Sequence, residues 1–434
     1  MTFKTESVES HLELQKGLSY KGEYLVDEST LGLVGLDAFN TGGGYKPGAE
    51  KPYSGPYKPT HVTESGDVLL AMTEQKEGLL ASPLIVPEDL GGYEELVYSH
   101  HVAKVVAKSG KLRPEFFYNF LRVPINRARA AYGNTGTTVQ DLPYDVIYEQ
   151  IVPIPPLEEQ DRINSFISIL DRKIQLNKAQ ATTLEKIAQS VFRSWFIDFD
   201  PVKTKMTDEK PVGMDDSTAV LFPDSIVDTD FGKIPKGWLR LPLAEFFEIS
   251  KNSINPQKHT ESIFTHYSIP NFDAGGKPSS ALGKQILSTK FLLQKSSVLV
   301  SKLNPETKRI WTVINPVELS ICSTEFIVLV PRVESHLPFL HSLVREPSFY
   351  GPYAAVATGS TGSRQRVHPE DILNMQFVFP SLELIDKYSE VAMPLLLRAR
   401  IARAEAESLE ELRAGLLPQL ISGDLRIPEE MLVP

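Results

Sequence analysis

The 434-residue sequence has one cysteine and no long apolar run. The single thiol, Cys322, excludes an intramolecular disulfide and a cysteine-based zinc site, which is typical of a reducing compartment. No stretch of eighteen apolar residues occurs, so no transmembrane helix is expected, and residues 1–31 are too polar for a signal peptide. With an apolar content of 41%, the sequence predicts a folded cytoplasmic protein that does not enter a membrane.

Catalytic motifs are also missing. The glycines Gly42, Gly43 and Gly44 are not followed by the lysine and hydroxyl residue of a phosphate-binding loop. The Asn/Asp-Pro-Pro-aromatic motif with which adenine methyltransferases hold a base is absent as well. His100 and His101 are expected on one strand, where neighbouring side chains point to opposite faces, so they are not expected to share a metal ion. The sequence therefore predicts binding rather than catalysis.

The formal net charge of −10 argues at first against a nucleic-acid ligand, but the charge is unevenly distributed. Residues 250–310 contain nine Lys and Arg against three acids, and residues 104–129 contain seven against one, so each segment carries +6. Residues 200–230 are acidic, with eight acids against three basic residues. Locally basic segments can bind phosphates despite an acidic total, although lysines scattered over a solvated face give the same count.

A heptad pattern organises residues 157–197. From Ile167 onward its apolar positions are alternately three and four residues apart, which predicts a long helix packed along another helix. Prolines precede the segment and Pro201 follows it, so the helix is expected to span about forty residues, or roughly 60 Å. The seam positions are Ile163, Ile167, Leu170, Ile174, Asn177, Ala181, Leu184, Ala188, Val191 and Trp195.

The partner helix lies in the same chain, because the same seam recurs later in the sequence. One constant offset, which relates Ile163 to Tyr388, holds without a gap from about residue 140 to residue 197 and includes the segments that lead into both helices. Such a repeat predicts a pseudo-twofold molecule with two matching helices, whereas two unrelated core helices would not preserve the register. The second seam consists of Tyr388, Ala392, Leu395, Ala399, Ala402, Ala406, Leu409, Arg413, Leu416 and Leu420.

The pattern divides the chain into six segments. A mixed α/β domain of residues 1–152 is followed by a long helix within residues 153–200 and by an acidic linker of residues 201–231 without periodicity. Residues 232–379 repeat the plan of the first domain, residues 380–425 form the second long helix, and residues 426–434 are a tail. In the first domain we expect strands at residues 68–72 and 97–106 and a helix at residues 114–126.

Glycine-rich loops beside basic residues are the candidate binding elements. Residues 40–48 form a loop rich in glycine and proline, and residues 39–43 resemble residues 272–276. The Gly/Thr-rich residues 133–138 resemble residues 358–363. Glycine lets a backbone approach a ligand closely, and arginine can bind base edges or phosphates, although surface charge alone would also explain each residue. The candidates are Gly43, Tyr45, Lys46, Arg127 and Arg129 in the first half, and Lys277, Lys302, Lys308, Arg309, Arg364 and Arg366 in the second.

Three strings carry a family resemblance. Residues 151–160 read Ile-Val-Pro-Ile-Pro-Pro-Leu-Glu-Glu-Gln, residues 234–238 read Ile-Pro-Lys-Gly-Trp, and residues 416–425 read Leu-Leu-Pro-Gln-Leu-Ile-Ser-Gly-Asp-Leu. Together they resemble the conserved regions of type I restriction–modification specificity subunits, over nearly the whole chain. The second copy departs from the pattern, with Phe-Pro-Ser-Leu-Glu-Leu at residues 379–384, and the first domain lacks the Pro-Lys-Gly-Trp opening.

The resemblance implies a function that the residues alone do not specify. Each globular domain would be a target-recognition domain that reads one half of a split, asymmetric site on double-stranded DNA. The two helices would pair antiparallel as a coiled coil, set the spacer between the half-sites and bind two methyltransferase subunits. Those subunits would carry S-adenosylmethionine, and restriction subunits would add ATP- and Mg²⁺-dependent translocation and cleavage. This chain would hold no cofactor and would not itself be an enzyme.

Two other classes of protein compete with this interpretation. A fused restriction–modification enzyme would need its own methyltransferase motif, and the length leaves no room for that domain. A coiled-coil scaffold without a nucleic-acid role would not need duplicated basic domains. The target sequence itself cannot be read from the chain, because base readout depends on three-dimensional placement and on DNA shape.

Overall fold

Short strands fill the chain before its first α-helix, and helices and strands are mixed after that point. The computed structural model describes residues 3–74, 78–134, 140–230, 232–357 and 365–428. The helices are α1 (Pro114–Arg122), α2 (Pro124–Ala131), α3 (Tyr144–Tyr148), α4 (Leu157–Phe196), α5 (Asp200–Met206), α6 (Asp216–Leu221), α7 (Ile269–Asp273), α8 (Leu337–Leu343), α9 (Pro347–Ala355), α10 (Pro369–Asn374) and α11 (Leu382–Ser422).

The strands are short and fall into two groups. Those before α4 are β1 (Thr5–Ser7), β2 (Leu12–Lys16), β3 (Leu31–Val34), β4 (Lys51–Pro52), β5 (Val62–Thr63), β6 (Val68–Ala71), β7 (Thr73–Glu74), β8 (Pro83–Ile85), β9 (Glu95–Tyr98), β10 (Val102–Ala107), β11 (Gln140–Asp141) and β12 (Ile151–Pro153). Those after it are β13 (Ile226–Thr229), β14 (Gly232–Pro235), β15 (Leu239–Pro242), β16 (Phe247–Ile249), β17 (Ser253–Ile254), β18 (Ile263–Tyr267), β19 (Ser279–Leu282), β20 (Lys290–Leu292), β21 (Ser297–Ser301), β22 (Ile310–Val313), β23 (Ser320–Cys322), β24 (Phe326–Pro331) and β25 (Gln376–Phe379).

The two long helices, α4 and α11, contain 40 and 41 residues. The 40 residues of α4 agree with the length expected from the heptad pattern, and the helix begins directly after the prolines, which cannot continue a helix. At its other end α4 stops at Phe196, before Pro201, and Phe199 adopts a left-handed backbone with φ of 56°. Helix α11 stops before Gly423, whose φ of 81° is a conformation that glycine adopts without steric cost.

Both long helices are shared between two compact units. The terminal unit consists of Met1–Asn177 with Ala404–Pro434, and the central unit consists of Lys178–Arg403. In the terminal unit α4 meets α11 where Asp171 pairs with Arg413, and the amide of Asn177 donates to Glu405 over 3.3 Å. As residue numbers rise in α4 they fall in α11, so the helices are antiparallel.

In the central unit the helices pair through small side chains. Ala181, Ala399 and Ala402 are fully buried against one another, which allows the two backbones to approach closely. Glu185 pairs with Arg403, and the hydroxyl of Tyr388 donates to the carbonyl of Ala188 over 3.1 Å. Here too the numbering of the two helices runs in opposite directions.

The predicted seam residues occupy the helix interface to different degrees. Ile167, Leu170, Ile174, Trp195 and Leu420 are buried, whereas five others are partly buried and pack against the cores: Leu184, Val191, Leu395, Leu409 and Leu416. On α11 the adjacent residues Leu396 and Leu417 are more deeply buried, at 3% and 4% exposure. These two positions are buried because each core extends around one flank of the α11 seam.

The first sheet has the same strand order in both units, and the second sheet has one strand more in the central unit. In the terminal unit an antiparallel sheet has the order β2-β10-β6-β8, and in the central unit the order is β16-β24-β21-β22. A second sheet has the order β4-β3-β9-β5 in the terminal unit and β19-β18-β23-β20-β17 in the central unit, with one parallel pair in each. The predicted fold class is therefore confirmed, since two mixed α/β units with duplicated topology accompany two long helices.

The acidic segment at residues 201–231 differs from its prediction. Instead of a linker without regular structure, it contains α5, α6 and β13, and β13 pairs with β14. Val202 and Phe222 anchor it, because both are buried in the central-unit core, where Phe222 lies against Trp195. Few apolar residues suffice for this anchoring, and their spacing has no helical or strand period.

Two local predictions in the terminal unit were wrong at their boundaries. The strand expected at residues 97–106 is divided into β9 and β10 by a turn that contains His100 and His101. The helix expected at residues 114–126 is divided into α1 and α2, because Pro124 cannot continue the first helix and instead opens the second.

No described helix is long and apolar enough to cross a membrane.

Candidate nucleic-acid interface

The glycine-rich loop of the terminal unit lies between β3 and β4 and packs against Arg122 and a neighbouring core. Gly43 has a φ of 104°, and a Cβ built there would approach the side chain of Arg122 to 2.9 Å. The amide of Asn40 donates to the carbonyl of Tyr45 over 3.0 Å, and Tyr45 packs on the neighbouring core. Lys46 is exposed. The loop therefore presents one lysine to solvent, and its glycine is required by close packing.

Helix α2 contains two candidate arginines, one of which lies near this loop. A Cβ on Gly42 would lie 3.6 Å from a guanidinium nitrogen of Arg127, so the candidate loop and the candidate helix meet. The side chain of Arg127 makes no hydrogen bond or ion pair within the described residues, and burial lowers the pKa of its guanidinium. Arg129 is exposed. The Gly/Thr-rich residues that follow this helix, 135–139, lie outside the described residues.

Arg122, the last residue of α1, connects this helix to α4 and α11 through Asp171. Nothing in the sequence pattern had indicated this connection. The guanidinium of Arg122, only 6% exposed, donates two hydrogen bonds of 2.7 and 2.8 Å to Asp171 of α4. Arg413 of α11 pairs with the same carboxylate. Burial alone raises the pKa of Asp171, but the hydrogen bonds and charges of the two arginines outweigh it and hold the pKa below its usual value.

Replacing Asp171 by asparagine should destabilise the chain by about 3 kcal/mol at neutral pH, because it leaves a buried arginine without its full counter-charge. Because the pKa of Asp171 is lower in the folded chain than in the unfolded chain, its ionised carboxylate stabilises the fold at pH values above the unfolded-state pKa. This stabilisation is lost as the pH falls through the folded-state pKa. The difference between wild type and variant should therefore shrink below about pH 4. Denaturant unfolding at several pH values measures it.

Asp161 supplies the matched control for that experiment. It pairs with Arg113, but the two side chains are 52% and 48% exposed, so replacing Asp161 by asparagine should cost no more than about 1 kcal/mol. Equal losses of stability for the two variants at neutral pH would show that the cluster around Asp171 does not hold the glycine-rich loop, α1 and the long helices together.

In the central unit most candidate arginines have internal partners. Arg309 donates to both carboxylate oxygens of Asp273 over 2.7 and 2.9 Å, and Asp273 ends α7 in the counterpart of the glycine-rich loop. Arg366 makes a similar pair of bonds to Glu325 at 3.1 and 3.3 Å. Arg364 and residues 358–363 lie outside the described residues. These ion pairs fix the loops, and they reduce the charge available to a ligand.

The candidate lysines of the central unit are placed less uniformly. Lys277 is exposed, and Lys302 is partly buried. The ammonium group of Lys308 donates to the carbonyl of Arg345 over 2.5 Å and lies 5.2 Å from the ring centre of Tyr350. Burial, and then the charge of Arg345, lower the pKa of Lys308. Lys308 is thus an exposed residue whose ammonium group contacts its own unit.

His100 and His101 of the terminal unit do not lie on one strand, as the sequence had suggested. His100 and His101 lie in a turn, and their ring centres are 3.9 Å apart, so they do not point to opposite faces of a strand. His101 bonds through Nδ1 to the hydroxyl of Thr73 at 2.9 Å. Among the described residues no group of three or more His, Cys, Asp or Glu side chains could hold a metal ion.

Comparisons with known proteins agree with this architecture. Residues 74–186 match the family described as Type I restriction modification DNA specificity domain. The chain is 24% identical to the HindI type I restriction enzyme specificity subunit of Haemophilus influenzae, over 83% of this chain and 87% of that protein. It is 26% identical to the MjaIX specificity subunit of Methanocaldococcus jannaschii, over 68% of this chain and 65% of that one.

A solved structure shares the fold. The type I restriction–modification S subunit from M. genitalium is 14% identical and superposes with a TM-score of 0.55, over 97% of this chain and 96% of that chain. The duplicated units and the two long helices agree with this shared fold. The chain is therefore similar in sequence to type I restriction enzyme specificity subunits, and one of its segments matches the DNA specificity domain of such systems.

Proposed function

We propose that the chain is the DNA-specificity subunit of a type I restriction–modification complex. The observation that carries the proposal is the duplicated topology: two units whose first sheets have the same strand order, each with a glycine-containing loop and basic residues, in a chain similar to this family. Each unit would read one half of a bipartite site on double-stranded DNA. The site would be asymmetric, because the loops of the two units differ in sequence and in internal ion pairs.

The same family suggests what the chain does not do. Methylation would belong to two methyltransferase subunits that carry S-adenosylmethionine, and cleavage would belong to restriction subunits that use ATP and Mg²⁺. This chain would contribute specificity without a cofactor or catalytic residues of its own, in the cytoplasm. The missing methyltransferase motif supports this division of labour.

A repeated apolar surface supports the binding of two identical partners. Leu176 and Ile187 of α4 are 59% and 44% exposed, and Ile401 and Leu412 of α11 are 45% and 48% exposed. The constant offset between the repeats relates Leu176 to Ile401 and Ile187 to Leu412. We call these four residues the outer face. Each unit contains one residue of each equivalent pair, as expected for two sites that bind copies of one protein.

The outer face lies on the free flank of the helices. With the seam residues at heptad positions a and d, its four members occupy positions c and g. Near these four residues, two contacts from the long helices to the globular part of the central unit come from the b position: Gln189 donates to the carbonyl of Ser342 and Arg400 to that of Ile314. Because b lies on the opposite flank from c and g, the outer face remains open to a methyltransferase subunit.

The test of DNA binding replaces Arg127 and Arg129 by alanine. If these arginines contact bases, each loss should cost about 1–3 kcal/mol and relax recognition at one half-site. If they contact phosphates, affinity should fall evenly for all sequences, and the salt dependence should become shallower by about one unit per residue. Titration of labelled DNA at several salt concentrations distinguishes the two outcomes.

Arg172 provides the control, since it is an exposed arginine on the long helix α4. Its replacement by alanine removes the same charge away from the glycine-rich loop and should leave DNA affinity unchanged. If the double variant at positions 127 and 129 binds DNA as wild type does at every salt concentration, α2 does not belong to the interface.

A further inference from the structure

Arg122 and Arg345 occupy equivalent positions in the two units. Each is two residues before the proline that opens a helix, Pro124 in α2 and Pro347 in α9. Arg122 is neutralised by Asp171, as described above. At the position that the repeat makes equivalent to Asp171, the chain has Leu396, which is buried. The central unit thus keeps the arginine and lacks the carboxylate.

No described side chain replaces that missing carboxylate. The guanidinium of Arg345 donates only to main-chain carbonyls, to His341 over 2.8 Å and to Ile310 over 3.3 Å. Glu185, whose charge acts on Arg345, is already paired with Arg403. Burial lowers the pKa of Arg345 to about 10, which still leaves it charged at neutral pH. A partly buried cation without an acidic partner is energetically unfavourable, so a bound anion would stabilise it.

Arg345 faces a pocket of about 390 Å³ beside α4. Lys186 and Lys308 also line this pocket, together with Phe272, His341 and the carboxylate of Glu185 that pairs with Arg403. Lys186 is exposed and has no bonding partner within the described part of the chain.

One further acid lies near these cations. Glu346 is buried, accepts a hydrogen bond from Gln189 and lies close enough to Lys308 to influence its charge. Three cations, Arg345, Lys186 and Lys308, therefore share this one acid. The charge left over is that of two cations. A single carboxylate would neutralise only half of it.

We propose that this pocket binds a phosphate group through Arg345, Lys186 and Lys308. A phosphate presents several acceptor oxygens, and it can carry the double negative charge that the pocket leaves uncompensated. Its source is either the DNA backbone or a free phosphate compound. In the terminal unit Asp171 already supplies the anion beside the equivalent arginine, so we expect one such site in the full chain.

Binding of inorganic phosphate to the full-length chain tests the proposal without DNA, so its failure is separate from failure of the proposed function. Calorimetric titration should show phosphate binding to the wild type that potassium chloride of the same ionic strength does not reproduce. Replacement of Arg345 or of Lys186 by glutamine should weaken it at least about tenfold, since each removes a charge-assisted hydrogen bond. The Lys186→Gln variant changes an exposed side chain and should fold normally.

Replacement of the exposed Lys258 by glutamine is the matched control and should leave phosphate affinity unchanged. The proposal is overturned if the wild type shows no phosphate-specific binding. It is also overturned if binding is the same in the Lys186→Gln and Arg345→Gln variants. A wild type that ignores phosphate while both variants lose a protein partner would indicate a carboxylate of that partner instead.

DNA titrations then identify the source of the phosphate. If it belongs to DNA, the Lys186→Gln variant should bind all sequences more weakly, and its salt dependence should be shallower by about one unit. If it belongs to a free compound, DNA affinity and salt dependence should match the wild type while inorganic phosphate binding is lost. Both results support a phosphate site in this pocket.

Discussion

A variant with Leu176 and Leu412 both replaced by glutamate should bind one methyltransferase subunit instead of two. These residues form the part of the outer face that belongs to the terminal unit, and an apolar anchor at an interface contributes about 2 kcal/mol or more. Introducing charge there adds a desolvation cost. The mass of the assembled complex, measured by light scattering or native mass spectrometry, reports the number of partners directly.

The repeat supplies a reciprocal experiment. Replacing Ile187 and Ile401 by glutamate should remove the other methyltransferase copy, and the fourfold variant should bind none. Val212 and Ile263 serve as matched controls, because they are apolar, 93% and 64% exposed, and distant in sequence from the long helices. If the fourfold variant folds and still binds two methyltransferase subunits, the outer face is not their binding surface.

Insertion of one heptad into each long helix should change the DNA site that the complex selects. We would place the insertions after Asn177 and after Ala402, which are equivalent positions in the two repeats. Seven residues keep both seams in register and lengthen the helix pair by about 10 Å, which corresponds to about three base pairs. If the helices set the spacer, the variant should lose the original site and select the same half-sites with a longer spacer.

Insertion into α4 alone provides the contrast. It shifts one seam against the other, so Ala181 would no longer meet Ala399 and Ala402, and assembly should fail. Three base pairs also rotate the groove by about 100°, so the doubly inserted protein cannot tolerate the old spacing by a small adjustment. A doubly inserted protein that assembles and keeps its original site would show that helix length does not determine the spacer.

The long helices and the register between the repeats could be predicted because both depend on periodic apolar positions. The constant offset links Asp141 to Arg366, and both residues form the same kind of strand contact, with Thr73 and with Leu303. The constant offset is visible in the sequence because the equivalent segments of both repeats must bury their apolar residues against the same kind of neighbour.

Ion pairs between side chains far apart in the sequence could not be predicted. Arg309 was a candidate ligand-binding residue by local charge, but Asp273, 36 residues earlier, neutralises it. Arg122 and Asp171 are 49 residues apart and were not singled out at all. A count of charges along the chain cannot tell a free cation from a paired one, because the partner is brought close only by the sheets and the long helices.

The segment at residues 201–231 shows a different limit. Its acidic composition suggested a linker, yet a few apolar residues dock it onto the central-unit core. Phe222 packs against Trp195, and a capping bond from the main-chain NH of Thr218 to the carboxylate of Asp215 begins α6. The bond to the Asp215 carboxylate satisfies one free NH group at the start of the helix.

Methylome sequencing tests the central claim most directly. A host that carries the complete system should show methylated adenines at one bipartite, asymmetric sequence, and deletion of this chain should abolish them. Restoring the chain with residues 232–379 exchanged for those of a relative should change one half of the site and leave the other half and the spacer unaltered. Methylation that persists at the same sequence after the deletion would contradict the account.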